Sequence, residues 1–187
     1  MPVWTSLLYV NDWFQPGSAP LKASISNQTG KWQVEVENLL DRPLTETRIV
    51  IKSFIYDLGT LPARQKKTFT LDPADGTALQ AFVPQHGAEF QGAVASRHRA
   101  FSDEQQGHLN NLPLTATVAS FPGYLPKPEH QRNCVSPPGF DLSPAVARGA
   151  AVLLAWDANH SLANPVIQFK PPRLQRNTLL RLVVPMP

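Results

Sequence analysis

Lys31-Trp32-Gln33-Val34-Glu35-Val36-Glu37-Asn38 alternates polar and apolar side chains without a break. Successive side chains of an extended chain leave it on opposite sides. Trp32, Val34 and Val36 therefore share one face, and Gln33, Glu35 and Glu37 share the other. The stretch predicts a strand with one face in a hydrophobic interior and one face in water.

The same period extends outward. Leu21, Ala23 and Ile25 alternate with Lys22, Ser24 and Ser26, and Asn27-Gln28-Thr29-Gly30 reads as the turn into the Lys31 strand. Downstream, Asp41-Arg42-Pro43 turns the chain. Thr45 to Tyr56 is rich in β-branched and aromatic residues, which suit a pleated surface, and reads as a strand ended by Asp57-Leu58-Gly59. Lys66 to Leu71 alternates again and places Phe69 with Leu71. Asp72-Pro73 and Asp75-Gly76 are turns, and Thr77 to Val83 is a further strand candidate. Ser6 to Val10 is a short apolar run with the character of a first strand, followed by turn signals at Asn11-Asp12 and Pro16-Gly17. Short strands separated by turns at this frequency suggest a sandwich or barrel.

The second half is less regular. Gly87 to Phe101 fits one helix, with Phe90, Val94 and Phe101 as its apolar positions, against an irregular strand pair. Leu114 to Phe121 reads as a strand from its threonine and valine content. Pro122 to Pro138 holds five prolines and reads as a long loop, either functional or a covering arm. Leu142 to Arg148 reads as a helical turn with Ser143 as N-cap and Pro144 at the first position. Ala150 to Trp156 reads as a strand buried on both faces, and Thr178 to Val184 as the last strand. The expectation is a mainly β, immunoglobulin-like β-sandwich with a short helix and a long proline-rich loop in the second half. It forms one domain over residues 1–187, with a subdivision near 84–86 as the alternative.

From Gly30 to Leu71 the chain resembles bacterial immunoglobulin-like or fibronectin type III-like modules. The likeness is carried by the Val34-Glu35-Val36-Glu37-Asn38 strand, the Leu58-Gly59-Thr60-Leu61 connection and the Lys67-Thr68-Phe69-Thr70-Leu71 strand. Such modules often carry a glycine after that connection, where this chain has Ala63 and Arg64. The resemblance implies a periplasmic or extracellular setting, as the soluble part of a larger envelope or membrane-anchored protein. It covers less than a third of the chain, and fold alone does not fix function.

Composition narrows the function classes. Of 187 residues, 42% are hydrophobic and 17% charged, so the charge content is below the usual value of about 25% and disorder is disfavoured. The 19 prolines against 10 glycines disfavour long helices. A net charge of +3 is mild, and the basic residues are split between Arg64, Lys66 and Lys67, then Arg97 and Arg99, then Lys170, Arg173, Arg176 and Arg181. These read as solvated faces, and a nucleic-acid partner is not expected. The sharper reading of the last group is contact with an anionic membrane surface. The longest apolar run, Ala150 to Trp156, falls far below the roughly 20 residues of a spanning helix. Met1-Pro2-Val3-Trp4-Thr5 lacks the charged region and long apolar core of a signal peptide, so the chain as given reads as soluble. A leader or anchor removed upstream of Met1 stays open.

Catalysis needs positioned groups, and the sequence offers few. The five histidines, His86, His98, His108, His130 and His160, lack the spacing of a metal-binding helix pair. His98 lies between two arginines, which would repel a cation. The lone Cys134 permits no internal disulfide, and no Gly-x-Ser-x-Gly turn or glycine-rich phosphate loop occurs. No cofactor or metal is expected. Asp157 reads as a turn former after the Trp156 strand.

Three readings follow. The first is a non-catalytic module acting through protein contact in the cell envelope. The second is a carbohydrate-binding module that stacks sugars on Trp4, Tyr9, Trp13 and Phe14, residues that otherwise cap the end of the sandwich. The third is a hydrolase with its site in the loop around His130 and Cys134. Trp32 and Trp156, inside apolar strand patterns, read as core.

Overall fold

The computed structural model describes residues 19–92, 110–126, 139–158, 160 and 177–187. The protein is mainly β, with two antiparallel sheets of three and five strands. The first sheet has the order β1 (Leu21–Gln28), β2 (Lys31–Asn38) and β5 (Lys66–Leu71). The second has the order β6 (Thr77–Ala78), β4 (Phe54–Leu61), β3 (Leu44–Ile51), β7 (Ala151–Asp157) and β8 (Thr178–Val184). The strands from the second half thus complete a sheet begun by β3 and β4.

The alternation of β2 does what its pattern predicts. Val34 and Val36 are fully buried and Trp32 nearly so, while Gln33, Glu35 and Glu37 are half-exposed. The buried row meets Ile49 and Ile51 of β3, Tyr56, Leu58 and Leu61 of β4, and Leu153 of β7, in one core shared by both sheets. Each such side chain contributes about 1.5–3 kcal/mol by leaving water.

The five-stranded sheet is apolar on its other face too. Val50, Ile55, Val152 and Leu154 pack there against Leu79, Val83, Val118, Phe121 and Val146. Except for Phe121, which follows α2, these come from a helical layer of α1 (Leu79–His86), α2 (Leu112–Ala119) and α3 (Ser143–Ala147). Strand β7 lies between two cores, which explains its unbroken apolar run, Ala151 to Ala155.

Several boundaries differ from the sequence expectation. Thr45 to Tyr56 is not one strand. It reverses at Lys52-Ser53, whose φ angles of 47° and 66° make a two-residue turn of the left-handed kind. No glycine or asparagine marks that turn, so residue type gave no signal. Asp57-Leu58-Gly59 does not end a strand either. Gly59, at φ 70°, donates its N–H to Asp57 Oδ1 at 2.7 Å, and β4 continues to Leu61.

Thr77 to Val83 holds only the two-residue β6, and the rest is α1, with Leu79 and Val83 one helical turn apart and both fully buried. Gly76, before β6, packs so closely on the Tyr56 ring that a Cβ there would fall 2.7 Å from Cζ. Of the strand expected over Leu114 to Phe121, Leu114 to Ala119 is helical and the last two residues leave the helix. Asn111 caps α2 by accepting a hydrogen bond from Leu114 N–H at 3.0 Å, and Pro113 sits in the first turn, where its missing donor costs nothing. Those two residues outweigh the strand preference of Thr115, Thr117 and Val118. Ser143 is the first residue of α3, with Leu142 in the capping position. The single short helix expected in the second half is therefore a layer of helices. Residues 88–92 are helical, and the rest of the expected Gly87–Phe101 helix lies outside the described residues. So do Ser6–Val10 and most of the proline-rich stretch, of which Pro122–Tyr124 forms a 3-10 turn.

Candidate functional site

Strands β1 and β8 are each the last in their sheet, with one strand neighbour apiece among the described residues. The two edges come together on one side of the protein and frame an open groove of about 540 Å³. Alternation decides what each edge offers. On β1, Leu21 and Ala23 point to the shared core, and Lys22 and Ser24 point outward opposite Glu37 and Glu35 of β2. On β8, Leu180, Leu182 and Val184 pair with Ala155, Leu153 and Ala151 and face the shared core. Leu179, Arg181 and Val183 pair with Trp156, Leu154 and Val152 on the side of the helical layer.

Beyond the cover of those helices Val183 is left 47% exposed, an unusual degree for a valine inside a strand. The β8 wall, Leu182 to Pro185, is uncharged, and the opposite rim carries Lys22, Glu35 and Glu37. Glu35 also binds Lys66 Nζ at 2.7 Å. The groove walls hold no histidine, cysteine or aspartate among the described residues. Their chemistry is that of contact, an apolar strip beside a charged rim, next to backbone edges able to accept another strand.

A second constellation lies across β3, β7 and the helices. Glu46, at φ 48°, interrupts the pairing of β3 with both neighbours. The interruption turns Arg48 towards the helical layer. There its Nη2 donates to Glu46 Oε2 and its Nη1 to Thr117 Oγ1 at 3.4 Å. Thr117 Oγ1 in turn donates to the Pro113 carbonyl at 2.9 Å. Glu89 accepts from Thr115 Oγ1 at 3.2 Å and from the Asn110 N–H. These groups satisfy one another and tie α2 to the sheet. The Thr47 hydroxyl is different: it is fully buried and has no hydrogen-bond partner among the described residues.

At the far end of β7, Asp157 is buried and forms a double hydrogen bond with Arg42, Nε to Oδ1 at 2.9 Å and Nη2 to Oδ2 at 2.8 Å. It is an ion-pair partner rather than a turn former. The hydrogen bond to Asp157 raises the Arg42 pKa above its ordinary value, with burial opposing it. Beside it Asn38 spends its side chain on the Arg42, Leu61 and Pro62 carbonyls and the Leu40 N–H.

The residues expected to bind sugar, Trp4, Tyr9, Trp13 and Phe14, lie outside the described residues, as do His130 and Cys134. Of the basic group proposed to meet a membrane, Lys170, Arg173 and Arg176 also lie outside. Arg181 is described, and it is engaged with its own fold. Its Nη1 donates to the Phe140 carbonyl at 2.8 Å, and the guanidinium lies 5.4 Å from the Phe140 ring centre. His86 packs on Phe82, ring centres 4.7 Å apart, and the His160 carbonyl accepts from Thr178 Oγ1. Trp156 is half-buried at the end of β7, and Trp32 is in the core beneath Lys52 Nζ, 4.9 Å away. No group of three or more His, Cys, Asp or Glu side chains converges as a metal site among the described residues, and no described helix is long and apolar enough to cross a membrane.

The groove was not singled out by sequence reading. Its strands were, but their position at the sheet edges, and the approach of β1 to β8, depend on topology. No family model, curated protein or solved structure matches the chain.

Proposed function

We propose that the chain is a non-catalytic, immunoglobulin-like β-sandwich module that acts through protein–protein contact in an extracytoplasmic, envelope-associated assembly. The observation that carries the contact reading is the groove between β1 and β8, with an uncharged β8 wall and an exposed Val183. Two antiparallel sheets around one core suit a sandwich, and sandwich edges accept added strands through backbone hydrogen bonds. The envelope setting rests on the resemblance of residues 30–71 to bacterial immunoglobulin-like modules.

The test is capture of a partner from an envelope extract, with wild type and Val183→Asp immobilised side by side, followed by binding of peptides from the captured protein. The expected result is at least tenfold weaker binding to the variant, because a carboxylate on the apolar wall must be desolvated by any strand laid on it. Equal binding to both proteins, or turnover of a substrate by the purified chain, would overturn the reading.

A further inference from the structure

We propose that the outer face of β8 recognises an extended segment of a partner protein that carries an aspartate or glutamate, the acid seated on Arg181 and an apolar side chain two residues away seated on Val183. The inference rests on the reading of the β1–β8 groove as a contact site and adds what the partner must present there.

Arg181 and Val183 leave β8 on one face, about 7 Å apart. The Phe140 ring lies against the guanidinium, its centre 5.4 Å away. Phe140 and Val183 are 40% and 47% exposed, two of the three large apolar side chains left so open among the described residues. A cation thus stands between two uncovered apolar groups, which is the make-up of a contact patch rather than of a solvated strand face.

That cation is also uncompensated. Arg42 and Arg48, the other arginines built into the fold, each meet a carboxylate, Asp157 and Glu46. Arg181 meets none among the described residues. Its Nη1 is spent on the Phe140 carbonyl at 2.8 Å, which holds the guanidinium in place. Nε and Nη2 are left without a partner among the described residues, and these are the two donors with which Arg42 grips Asp157. Desolvation by the surrounding fold lowers the Arg181 pKa from its ordinary value. A carboxylate arriving there gains more than it would from an arginine in open water.

An anionic lipid surface fits less well. Lipid surfaces are held by clusters of basic residues, and the opposite rim of the groove carries Glu35 and Glu37, which repel lipid phosphate. A lone planar fork suits a lone carboxylate.

The test selects peptides from a displayed random library on the immobilised full chain and measures each against wild type and Arg181→Gln. The selected peptides should carry an acid with an apolar residue two positions from it. Arg181→Gln should weaken their binding by about tenfold or more. Changing the peptide's acid to its amide should weaken binding to wild type by the same factor and change nothing further on Arg181→Gln. That arm leaves the protein's fold untouched. Amide signals of Phe140, Arg181 and Val183 should shift on binding, and those of Thr68 and Thr70 on β5 should stay in place.

Selected peptides without an acid, a library that yields no binder, or equal affinity for wild type and Arg181→Gln would overturn the proposal. Arg181-dependent binding to phosphatidylserine vesicles that displaces the acidic peptides would also overturn it, since that marks lipid as the occupant. The two readings fail separately. Partner capture that Val183→Asp weakens and Arg181→Gln leaves intact defeats this inference alone. Acid-dependent peptide binding with no partner captured from the envelope extract defeats the proposed function alone.

Discussion

Arg42 and Asp157 stand 115 residues apart in sequence and meet through two near-parallel hydrogen bonds, with the carboxylate 1% exposed and the guanidinium side chain 24% exposed. The pair joins the β2–β3 connection to the end of β7, so it ties the two halves of the chain together at one end of the shared core.

The unequal burial predicts unequal mutants. Arg42→Ala strands a buried carboxylate and should cost about 3–5 kcal/mol. Asp157→Asn leaves a guanidinium that can turn to water, with a cost nearer about 1–2 kcal/mol. Urea denaturation of both variants checks the order, and equal losses would show that the carboxylate is not the confined partner.

Thr47 offers the opposite case. Its hydroxyl is buried without a partner among the described residues, and an unsatisfied buried group costs about 1–3 kcal/mol. Thr47→Val replaces the hydroxyl with a methyl of nearly the same shape. The variant should gain about 1 kcal/mol and raise the thermal midpoint. A loss of stability would reveal a polar role for the hydroxyl, such as binding a buried water.

Tyr56 should set an alkaline limit. Burial raises its pKa above the ordinary value, and the nearby carboxylates of Asp72 and Asp75 add to the shift. A raised folded-state pKa means that the native protein holds its proton where the unfolded chain has lost it. The stability Tyr56 contributes is thus complete below about pH 10 and is lost as pH climbs through the folded value. Stability against pH, followed by fluorescence between pH 8 and 12, should show this fall in wild type. Tyr56→Phe should flatten it.

The two faces of β7 and β8 give a packing prediction. Leu153 is fully buried, so Leu153→Ala should cost about 2–5 kcal/mol. Val183→Ala, on the open groove, should stay within about 0.5 kcal/mol. If Val183→Ala proves as costly as Leu153→Ala, Val183 is covered in solution.

Strands with a wet face and a dry face were legible from residue order. Leu21–Gln28, Lys31–Asn38 and Lys66–Leu71 announce themselves because a period of two can be produced by local residues alone, whatever packs above them. Ala151 to Ala155 was legible as buried on both sides. The candidate site was not legible. Nothing near Val183 or Lys22 says that their strands are edges, since an edge is defined by the neighbour a strand lacks.

On its own, residue order thus determined that this protein is built mainly from strands, and which side chains of β2 face inward. The tertiary structure alone decided that Thr115–Val118 is helical and that Thr45–Tyr56 reverses at Lys52. It also decided that β8 closes a sheet started more than a hundred residues earlier and stands, among the described residues, at the edge of that sheet beside β1. The physical reason is range. Alternation is written into neighbouring residues, whereas helix choice in a strand-like segment, left-handed turns without glycine and the pairing of distant strands are settled by the apolar surface that each arrangement buries.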